Sequence, residues 1–425
     1  MSALEALKHN LHFARALIVD GRDRYLGVTR TAFSIEQIYR KYRNRAKVLS
    51  ATEAESVLKE AHRESADLIC DLCKENGAIW VKFAQFLSCR PDILPIEYIF
   101  SLQRLQNDAN PAPFEDIHPI ILQDWGRDWD TKFKSFNVIP AATASVAQVH
   151  RATLLSGQDV AVKFQLPDAR ELFEQDSLVF KTFAGILAPL VKEIDIRQVT
   201  EQLISMTIEE LDFGREARNL SVFASKAHLP GIRIPALVES LSTHRIMVTE
   251  WINGVRLTDY LEQHPERAQP VLKRLLNSYI QQITQLGIYH ADPHPGNFLI
   301  TPEEEIAVLD YGAIVTLDAE QQTRYANLML GLLGMHPEKL GELFRQAGFV
   351  CERQEVLEQI SDHFVGDNRR NLSVSDRLAE VLDKLRRNRV FIPDSFVAMA
   401  RVIISVGGFL KRYDVPFSFD PVSAG

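Results

Sequence analysis

The sequence predicts an α+β fold in which a helical N-terminal block precedes a small sheet lobe and a large helical lobe. Three observations support this prediction. Helical patterning dominates residues 1–110, short strand-like segments lie between residues 146 and 250, and helical patterning returns from residue 257 onward. Such separate runs of strands and helices are typical of α+β proteins. The cleft between two lobes of this kind is a common place for a ligand.

Composition narrows the class of protein. The chain has 425 residues, of which 46% are hydrophobic and 24% are charged, as expected for a globular protein of two or three units. We predict boundaries that give units 1–110, 111–254 and 255–425. The net charge of −8 argues against a general nucleic-acid binder, so no nucleic-acid partner is expected. Four cysteines fit a reducing compartment better than a disulfide framework.

No segment is predicted to span a membrane. The most apolar C-terminal stretch, residues 396–410, is interrupted by Arg401 and is shorter than the ~20 residues that a spanning helix needs. The N-terminus carries Glu5 and Lys8 before any apolar block, so no signal peptide is predicted. The sequence therefore predicts a cytoplasmic protein that is either soluble or peripheral to a membrane.

The N-terminal block contains a long helix and a basic segment. Residues 51–77 are rich in helix formers and lack proline, and the run Asn110-Pro111-Ala112-Pro113 is the predicted linker after the block. Cys70 and Cys73 are predicted to be buried on this helix, because no second cysteine pair accompanies them. A helix carrying several cations either lies on an anionic membrane surface or presents an ordinary solvated face. The cations in question are Arg40, Lys41, Arg43, Arg45 and Lys47.

The sheet lobe is predicted from four short segments. Residues 146–154 and 158–164 are rich in Val and Ala and flank Ser156-Gly157, which predicts a hairpin. Residues 196–228 form a predicted helix. Residues 233–239 and 245–250 are predicted as two further strands joined by a turn. The predicted helical lobe follows, and its helical pattern is most clearly interrupted at residues 289–311.

That interruption carries the first candidate site, His290-Ala291-Asp292-Pro293-His294-Pro295-Gly296-Asn297. Asp292 and Asn297 have the spacing of a kinase catalytic loop, in which the Asp orients or deprotonates the attacking hydroxyl and the Asn holds a metal. Asp-Pro and Pro-Gly also form turns, so a plain turn is the alternative. His290 and His294 have zinc spacing only on a helix, which the two prolines disfavour.

Two further elements strengthen the kinase-like interpretation. Asp310 ends an apolar run and is followed by Tyr311-Gly312, which matches the metal-binding Asp of a DFG segment. Asp310 and Asn297 are then oxygen ligands suited to Mg²⁺ beside nucleotide phosphates. Lys163 ends a Val-Ala-Val-Lys strand of the type that places a lysine on the phosphates.

The glutamate partner of that lysine is sought in residues 209–217. Glu210, Asp212 and Glu216 are predicted to share one helical stretch there, with Asp212 and Glu216 on one face. The glycine-rich phosphate loop of kinases is absent. Ala142-Thr143-Ala144-Ser145 stands in its place, and alanine disfavours positive φ, which predicts a stiffer loop.

Taken together, these motifs resemble the UbiB family of atypical kinases, the relatives of AarF and the ADCK proteins, over about residues 75–320. Thr143 stands where the family usually has another alanine. Lys82-Phe83-Ala84-Gln85 resembles the family's K-x-G-Q segment, with Ala84 in place of Gly, and Glu210-Leu211-Asp212 resembles its E-x-D. Glu216 fits the position of the glutamate that partners Lys163.

The resemblance implies a protein-kinase-like two-lobe fold with an N-terminal helical extension over the active site. It assigns catalytic roles to Asp292, Lys163 and Glu216. It assigns nucleotide binding to Lys163, Asn297, Asp310 and the alanine-rich loop. Lys82 and Gln85 form an inhibitory lid that faces Glu210 and Asp212.

The implied cofactors are ATP and Mg²⁺, with ATPase activity favoured over protein phosphorylation. The implied role is support of ubiquinone or other isoprenoid-lipid biosynthesis. The expected partners are ATP, an anionic membrane surface, an isoprenoid lipid and lipid-biosynthesis proteins. Two alternatives are a small-molecule phosphotransferase, which also uses an H-x-D-x-x-x-x-N loop, and a nucleotide-sensing scaffold without turnover.

Overall fold

The computed structural model describes residues 21–76, 94–102, 111–144, 146–167, 196–332, 339–351, 355–359 and 374–416, with isolated positions among 80–88, at 105 and among 169–181. The helices of these residues are labelled in chain order: α1 Gly21–Ala46, α2 Ala51–Asn76, α3 Ile96–Leu102, α4 Phe114–Trp125, α5 Ile196–Glu210, α6 Phe213–Lys226, α7 Leu257–Gln263, α8 Ala268–Gln281, α9 Ala319–Leu332, α10 Leu340–Gln346, α11 Val374–Arg387 and α12 Asp394–Arg412. The strands are β1 Phe133–Phe136, β2 Ala142–Thr143, β3 Ala147–Leu154, β4 Asp159–Gln165, β5 Ile232–Arg233, β6 Ile246–Glu250, β7 Val255–Arg256, β8 Ile288–His290, β9 Phe298–Ile300, β10 Ile306–Val308 and β11 Ile314–Thr316.

The N-terminal lobe is built on a five-stranded antiparallel sheet. Its order is β1-β3-β4-β6, and β2 pairs with β3 beside β1. The predicted hairpin is confirmed as β3 and β4, joined by a turn in which Gly157 has φ +89°, a conformation that glycine adopts without strain. Alternate residues of β4, including Val162 and Phe164, are fully buried and pack with Ile117 and Ile121 of α4. Burial of this face fixes the strand register, and with it the face on which Lys163 lies.

The predicted continuous helix over residues 196–228 is wrong in one respect. The chain forms two helices, α5 and α6, that are separated at Leu211 and Asp212. Asp212 is in an extended conformation, and its Oδ1 accepts a hydrogen bond from the Gly214 N–H at 3.0 Å. Aspartate is a favoured N-cap because its side chain satisfies an N–H that the helix leaves unpaired. Glu210, Asp212 and Glu216 therefore do not share one helix.

The predicted pairing of residues 233–239 with residues 245–250 is confirmed only around Leu237, which forms an antiparallel bridge with Thr249. There the Val238 N–H donates to the Val248 carbonyl and the Glu250 N–H donates to the Ala236 carbonyl, both at 2.8 Å. The second segment is a strand, β6, and it completes the lobe's sheet beside β4. The first segment is not one strand, because its start belongs to β5, which pairs in parallel with β10 in a four-stranded sheet of order β5-β10-β9-β7. A two-residue strand offers too little patterning to reveal its partner. We propose residues 254 and 255 as the boundary between the lobes, where the chain passes from the first sheet to the second.

The helical lobe has one continuous apolar core. It includes Leu272 and Tyr279 of α8, Leu328 of α9 and Phe396 and Ile404 of α12. The apolar stretch at residues 396–410 is thus part of a packed core. Among the described residues, no helix is both long enough and apolar enough to cross a bilayer.

In the N-terminal block, α1 and α2 pack together and α2 also contacts α3. Cys70 and Cys73 are buried, as predicted, in a cluster with Trp80. The Trp80 ring lies 4.5 Å from that of Phe180, so Trp80 is a core residue.

Candidate active site

The site begins with an ion pair between the two elements that the sequence singled out. Lys163 Nζ on β4 donates to Glu216 Oε2 at 2.6 Å and to Oε1 at 2.9 Å. Strand β4 is paired on both sides, which fixes Lys163, and α6 buries Phe213 and Ala217 around Glu216. The Lys163 ammonium also lies 5.0 Å from the centre of the Phe213 ring.

The pair lies largely out of water. The Glu216 side chain is 7% exposed and that of Lys163 is 22% exposed. Burial raises the pKa of Glu216 above its ordinary value, and the Lys163 ammonium opposes this rise by favouring the carboxylate. Glu216 Oε1 also accepts a hydrogen bond from the Tyr311 N–H at 3.4 Å. Glu216 therefore connects the lysine strand to the segment that carries Asp310.

Asp310 faces the same pair. Its Oδ2 lies 3.8 Å from Lys163 Nζ, and its Oδ1 accepts a hydrogen bond from the Gly312 N–H at 2.8 Å. Asn219 of α6 donates to the Tyr311 carbonyl at 3.0 Å, which holds this segment against the helix. The sequence prediction did not include Asn219. A single amide on a helix gives no sequence signal of this role.

The loop that carries Asp292 turns beside Asp310. Asn297 Nδ2 donates to the Asp292 carbonyl at 3.2 Å and to its Oδ2 at 3.1 Å, so the five-residue spacing brings the two side chains together. Arg401 Nη2 of α12 donates to Asp292 Oδ1 at 2.5 Å. Burial raises the pKa of Asp292, but the Arg401 guanidinium opposes that effect and holds the pKa below its ordinary value.

His290 connects the backbone of the Asp292 loop to the backbone of the Asp310 segment. Its Nε2 donates to the Asp310 carbonyl, and its Nδ1 accepts from the Asp292 N–H at 3.2 Å. Burial lowers the pKa of His290, which keeps the ring neutral and suits this donor and acceptor pattern. Because both ring nitrogens are engaged, His290 does not have the free lone pair that a zinc ligand needs.

The oxygen donors Asn297 and Asp310 fit Mg²⁺. Within the described residues, no three or more His, Cys, Asp or Glu side chains come together to hold a metal. A magnesium ion is commonly bound by one or two protein side chains, with substrate phosphates and water completing its coordination. The donor set of this site therefore fits a metal that arrives with a nucleotide.

Three residues of the alanine-rich segment, Ala142, Thr143 and Ala144, lie along β3 at the edge of the sheet. Ala142 and Thr143 are β2 and pair with β3, and the Ala144 N–H donates to the Ala147 carbonyl at 2.7 Å. Ser145 lies outside the described residues. The segment thus occupies the edge of the sheet near the strand that precedes Lys163, where the sequence placed it.

The predicted lid is described in part. Glu210 is exposed at the end of α5. Asp212 caps α6, and its Oδ2 lies 3.3 Å from Arg218 Nη2. Lys82 and Gln85 lie outside the described residues, so their contact with the two acidic residues stays a prediction.

The sequence prediction also did not connect Arg401 to Asp292. Arg401 was noticed only as the charge that interrupts an apolar run. That interruption is the signal that could have identified it, because a lone charge in a buried helix needs a partner.

The two lobes, the lysine–glutamate pair and the Asp292 and Asp310 segments define an atypical kinase-like protein. A family model described as the ABC1 atypical kinase-like domain matches residues 104–343. The chain therefore belongs to this family, the UbiB family of AarF-related kinases.

Individual relatives agree with this membership. The AarF domain-containing protein kinase 1 of Xenopus laevis is 31% identical over 296 residues, which are 68% of this chain and 57% of the frog protein. An uncharacterized protein of Clostridium pasteurianum is 28% identical over 83% of this chain and 68% of its own length. This chain therefore spans little more than half of the frog relative.

A solved structure shares the fold. The complex of Rv3197 with erythromycin from Mycobacterium tuberculosis has 26% sequence identity and a TM-score of 0.52. The match covers 72% of this chain and 80% of that one.

Proposed function

We propose that this protein binds Mg-ATP and acts as an atypical kinase or ATPase that supports isoprenoid-lipid biosynthesis or homeostasis, of the ubiquinone type, at a membrane surface. The observation that carries the proposal is the Lys163–Glu216 ion pair with Asp310 on its open side. In kinases the corresponding lysine and glutamate must pair before the phosphates are held correctly.

Each side chain then has a role that follows from its position. Lys163 contacts the phosphates and is held in place by Glu216. Asn297 and Asp310 hold Mg²⁺, which when bound neutralises charge on the phosphates. Asp292 orients the attacking hydroxyl or water, because its carboxylate is itself held in one orientation by Asn297 and Arg401.

The choice of ATPase activity over protein phosphorylation rests on the predicted lid. Lys82 and Gln85, together with Glu210 and Asp212, would close the cleft to a peptide while a small nucleotide still enters. The alanine-rich segment would approach the phosphates more stiffly than a glycine-rich loop.

A basic groove on the N-terminal block supports the membrane part of the proposal. It has a volume of about 770 Å³ and combines cations with apolar side chains. Val48 at its edge is 85% exposed. Anionic lipid head groups attract clustered lysine and arginine, and exposed apolar groups favour the interface. The groove is lined by Gln37, Ile38, Arg40, Lys41, Asn44, Arg45, Val48 and Glu64.

The proposal is tested by measuring ATP hydrolysis by the purified protein with and without anionic liposomes and an isoprenoid-phenol analogue. We expect Mg-dependent turnover that Asp292→Asn abolishes. The matched control is Asp259→Asn, which changes an exposed aspartate of α7 and should leave turnover unchanged. Mg-ATP binding without turnover would support the scaffold instead, and a phosphorylated analogue would identify a small-molecule phosphotransferase.

A further inference from the structure

Helix α12 carries a charge where its surroundings are apolar. Between Asp394 and Lys411, Arg401 is the only charged residue. Neighbours such as Phe396, Ala400 and Ile404 are buried in the core of the helical lobe. Bringing a guanidinium into such a helix costs free energy unless a partner compensates for the lost water.

The partner is the acid of the candidate active site. Arg401 Nη2 donates to Asp292 Oδ1 at 2.5 Å, and the two side chains are 24% and 29% exposed. Asn297 donates to the other carboxylate oxygen at 3.1 Å. Both oxygens of Asp292 are therefore held, one from its own loop and one from α12, and the carboxylate cannot rotate without breaking one of these bonds.

Helix α12 is itself fixed to the strand that leads into the loop. Tyr289 of β8 donates its hydroxyl hydrogen bond to the Ser395 carbonyl at 2.9 Å. The hydroxyl of Tyr325 of α9 forms a hydrogen bond with Ser395 Oγ. The helix is thus held at Ser395 beside β8 and at Arg401 on the loop, so the guanidinium has a defined position relative to Asp292.

Stability alone does not account for this arrangement. Replacing a partly buried ion pair by apolar residues of similar size is often neutral or stabilising. An apolar residue at position 401 would continue the surrounding core. The ion pair instead fixes the orientation of the one acid that the proposed reaction needs.

We propose that Arg401 is a positioning residue that acts through Asp292. It holds the carboxylate in the orientation needed to align the attacking hydroxyl or water with the phosphate. This inference rests on the proposed function for its kinetic consequence, whereas its structural consequence can be measured separately.

The experiment compares Arg401→Met, Arg401→Lys and the control Arg412→Met. Arg412 lies on the same helix and pairs with Glu262 at 3.2 Å, but both side chains are about 60% exposed, and exposed pairs contribute little. Steady-state ATP hydrolysis gives kcat and KM for each variant. Hydrogen exchange of residues 290–297 gives the order of the loop without requiring turnover.

We expect Arg401→Met to lower kcat by about 10²-fold, the loss typical of a misaligned reacting group. KM for Mg-ATP should stay unchanged, because Arg401 does not hold the nucleotide. Arg401→Lys keeps the charge and should recover part of the rate. Exchange over residues 290–297 should rise in Arg401→Met and stay at the wild-type level in Arg412→Met.

Other results overturn the inference. Wild-type kcat and exchange in Arg401→Met would show that the ion pair does not position Asp292. A loss shared equally by Arg401→Lys and Arg401→Met would show that the charge is not what matters. If the wild-type protein has no turnover, the proposed function fails, while the exchange comparison still decides whether Arg401 orders the loop.

Discussion

Replacing Lys163 by methionine should destabilise the N-terminal lobe, because it leaves a buried carboxylate without its cation. The Glu216 side chain is 7% exposed, and in the Lys163→Met variant it would retain only the hydrogen bond from the Tyr311 N–H at 3.4 Å. Removing one partner of a buried ion pair costs about 3–5 kcal/mol. We expect the lower end, about 3 kcal/mol, because Lys163 is 22% exposed and Glu216 can take up a proton once its pKa is no longer held down.

The complementary change, Glu216→Gln, should cost less. The ammonium of Lys163 would retain some contact with water and keep Asp310 at 3.8 Å. A partly satisfied polar group of this kind costs about 1–3 kcal/mol. In the double variant neither charge of the pair remains. Its decrease in unfolding free energy should therefore be smaller than the sum of the two single-variant decreases by at least about 1 kcal/mol.

Urea unfolding followed by tryptophan fluorescence measures these values. Trp125 and Trp129 pack on the aromatic cluster of the lobe and report its unfolding. Arg151→Met is the matched control, because Arg151 and Asp159 form an exposed pair at 2.5 Å on the same hairpin and exposed pairs contribute little. If Lys163→Met costs no more than Arg151→Met, or if the two single losses add, the reasoning about the buried pair is refuted.

Three further predictions concern nucleotide, membrane and lid. Asp310→Asn should reduce the stabilisation that Mg-ATP gives against thermal unfolding. For a ligand at a hundred times its Kd this stabilisation is about 2.7 kcal/mol. Equal shifts in melting temperature for the variant and the wild type would exclude the metal role of Asp310. Lys82→Ala should raise hydrogen exchange over residues 78–90 and change nucleotide affinity, and wild-type values of both would mean that Lys82 is not a latch. Reversing four basic residues of α1, each worth ~1 kcal/mol near anionic lipid, should abolish co-sedimentation with anionic liposomes at low salt, whereas unchanged sedimentation would indicate a solvated face. The four changes are Arg40→Glu, Lys41→Glu, Arg43→Glu and Arg45→Glu.

The parts of the site that the sequence predicted are those with strong local patterns. The hairpin that carries Lys163 was predicted from two short segments rich in Val and Ala around Ser156-Gly157. The spacing from Asp292 to Asn297 predicted one shared loop, in which the two side chains form a hydrogen bond. The residue pattern placed the partner of Lys163 within residues 209–217, and the family resemblance selected Glu216, although the helix that carries Glu216 begins later than expected. The hairpin and the Asp292 loop depend on residues close together in the chain, where propensity and spacing are informative.

The parts that the sequence did not predict depend on tertiary contacts. The break at Asp212 replaces a continuous helix by a capped one, and helix propensity does not distinguish a capping aspartate from an exposed one. The two-residue strand β5 finds its partner β10 more than seventy positions later. The charge that interrupts the apolar run of α12 indicates that Arg401 needs a partner, but it does not identify Asp292, which lies 109 positions away.

The position of α12, outside the family-matched residues, affects which fragments of this protein can fold and when the Asp292 loop is completed during synthesis. The family-matched residues 104–343 include Lys163, Asp292 and Asp310 but not α12. A fragment cut to that range would expose the apolar surface on which Phe396 packs and would therefore aggregate rather than give a minimal kinase. During synthesis the ribosome delivers the catalytic loop well before Arg401. The hydrogen bond from Arg401 to Asp292 forms only when α12 has been made, so under our proposal a chain that lacks α12 has an Asp292 carboxylate held by its own loop alone.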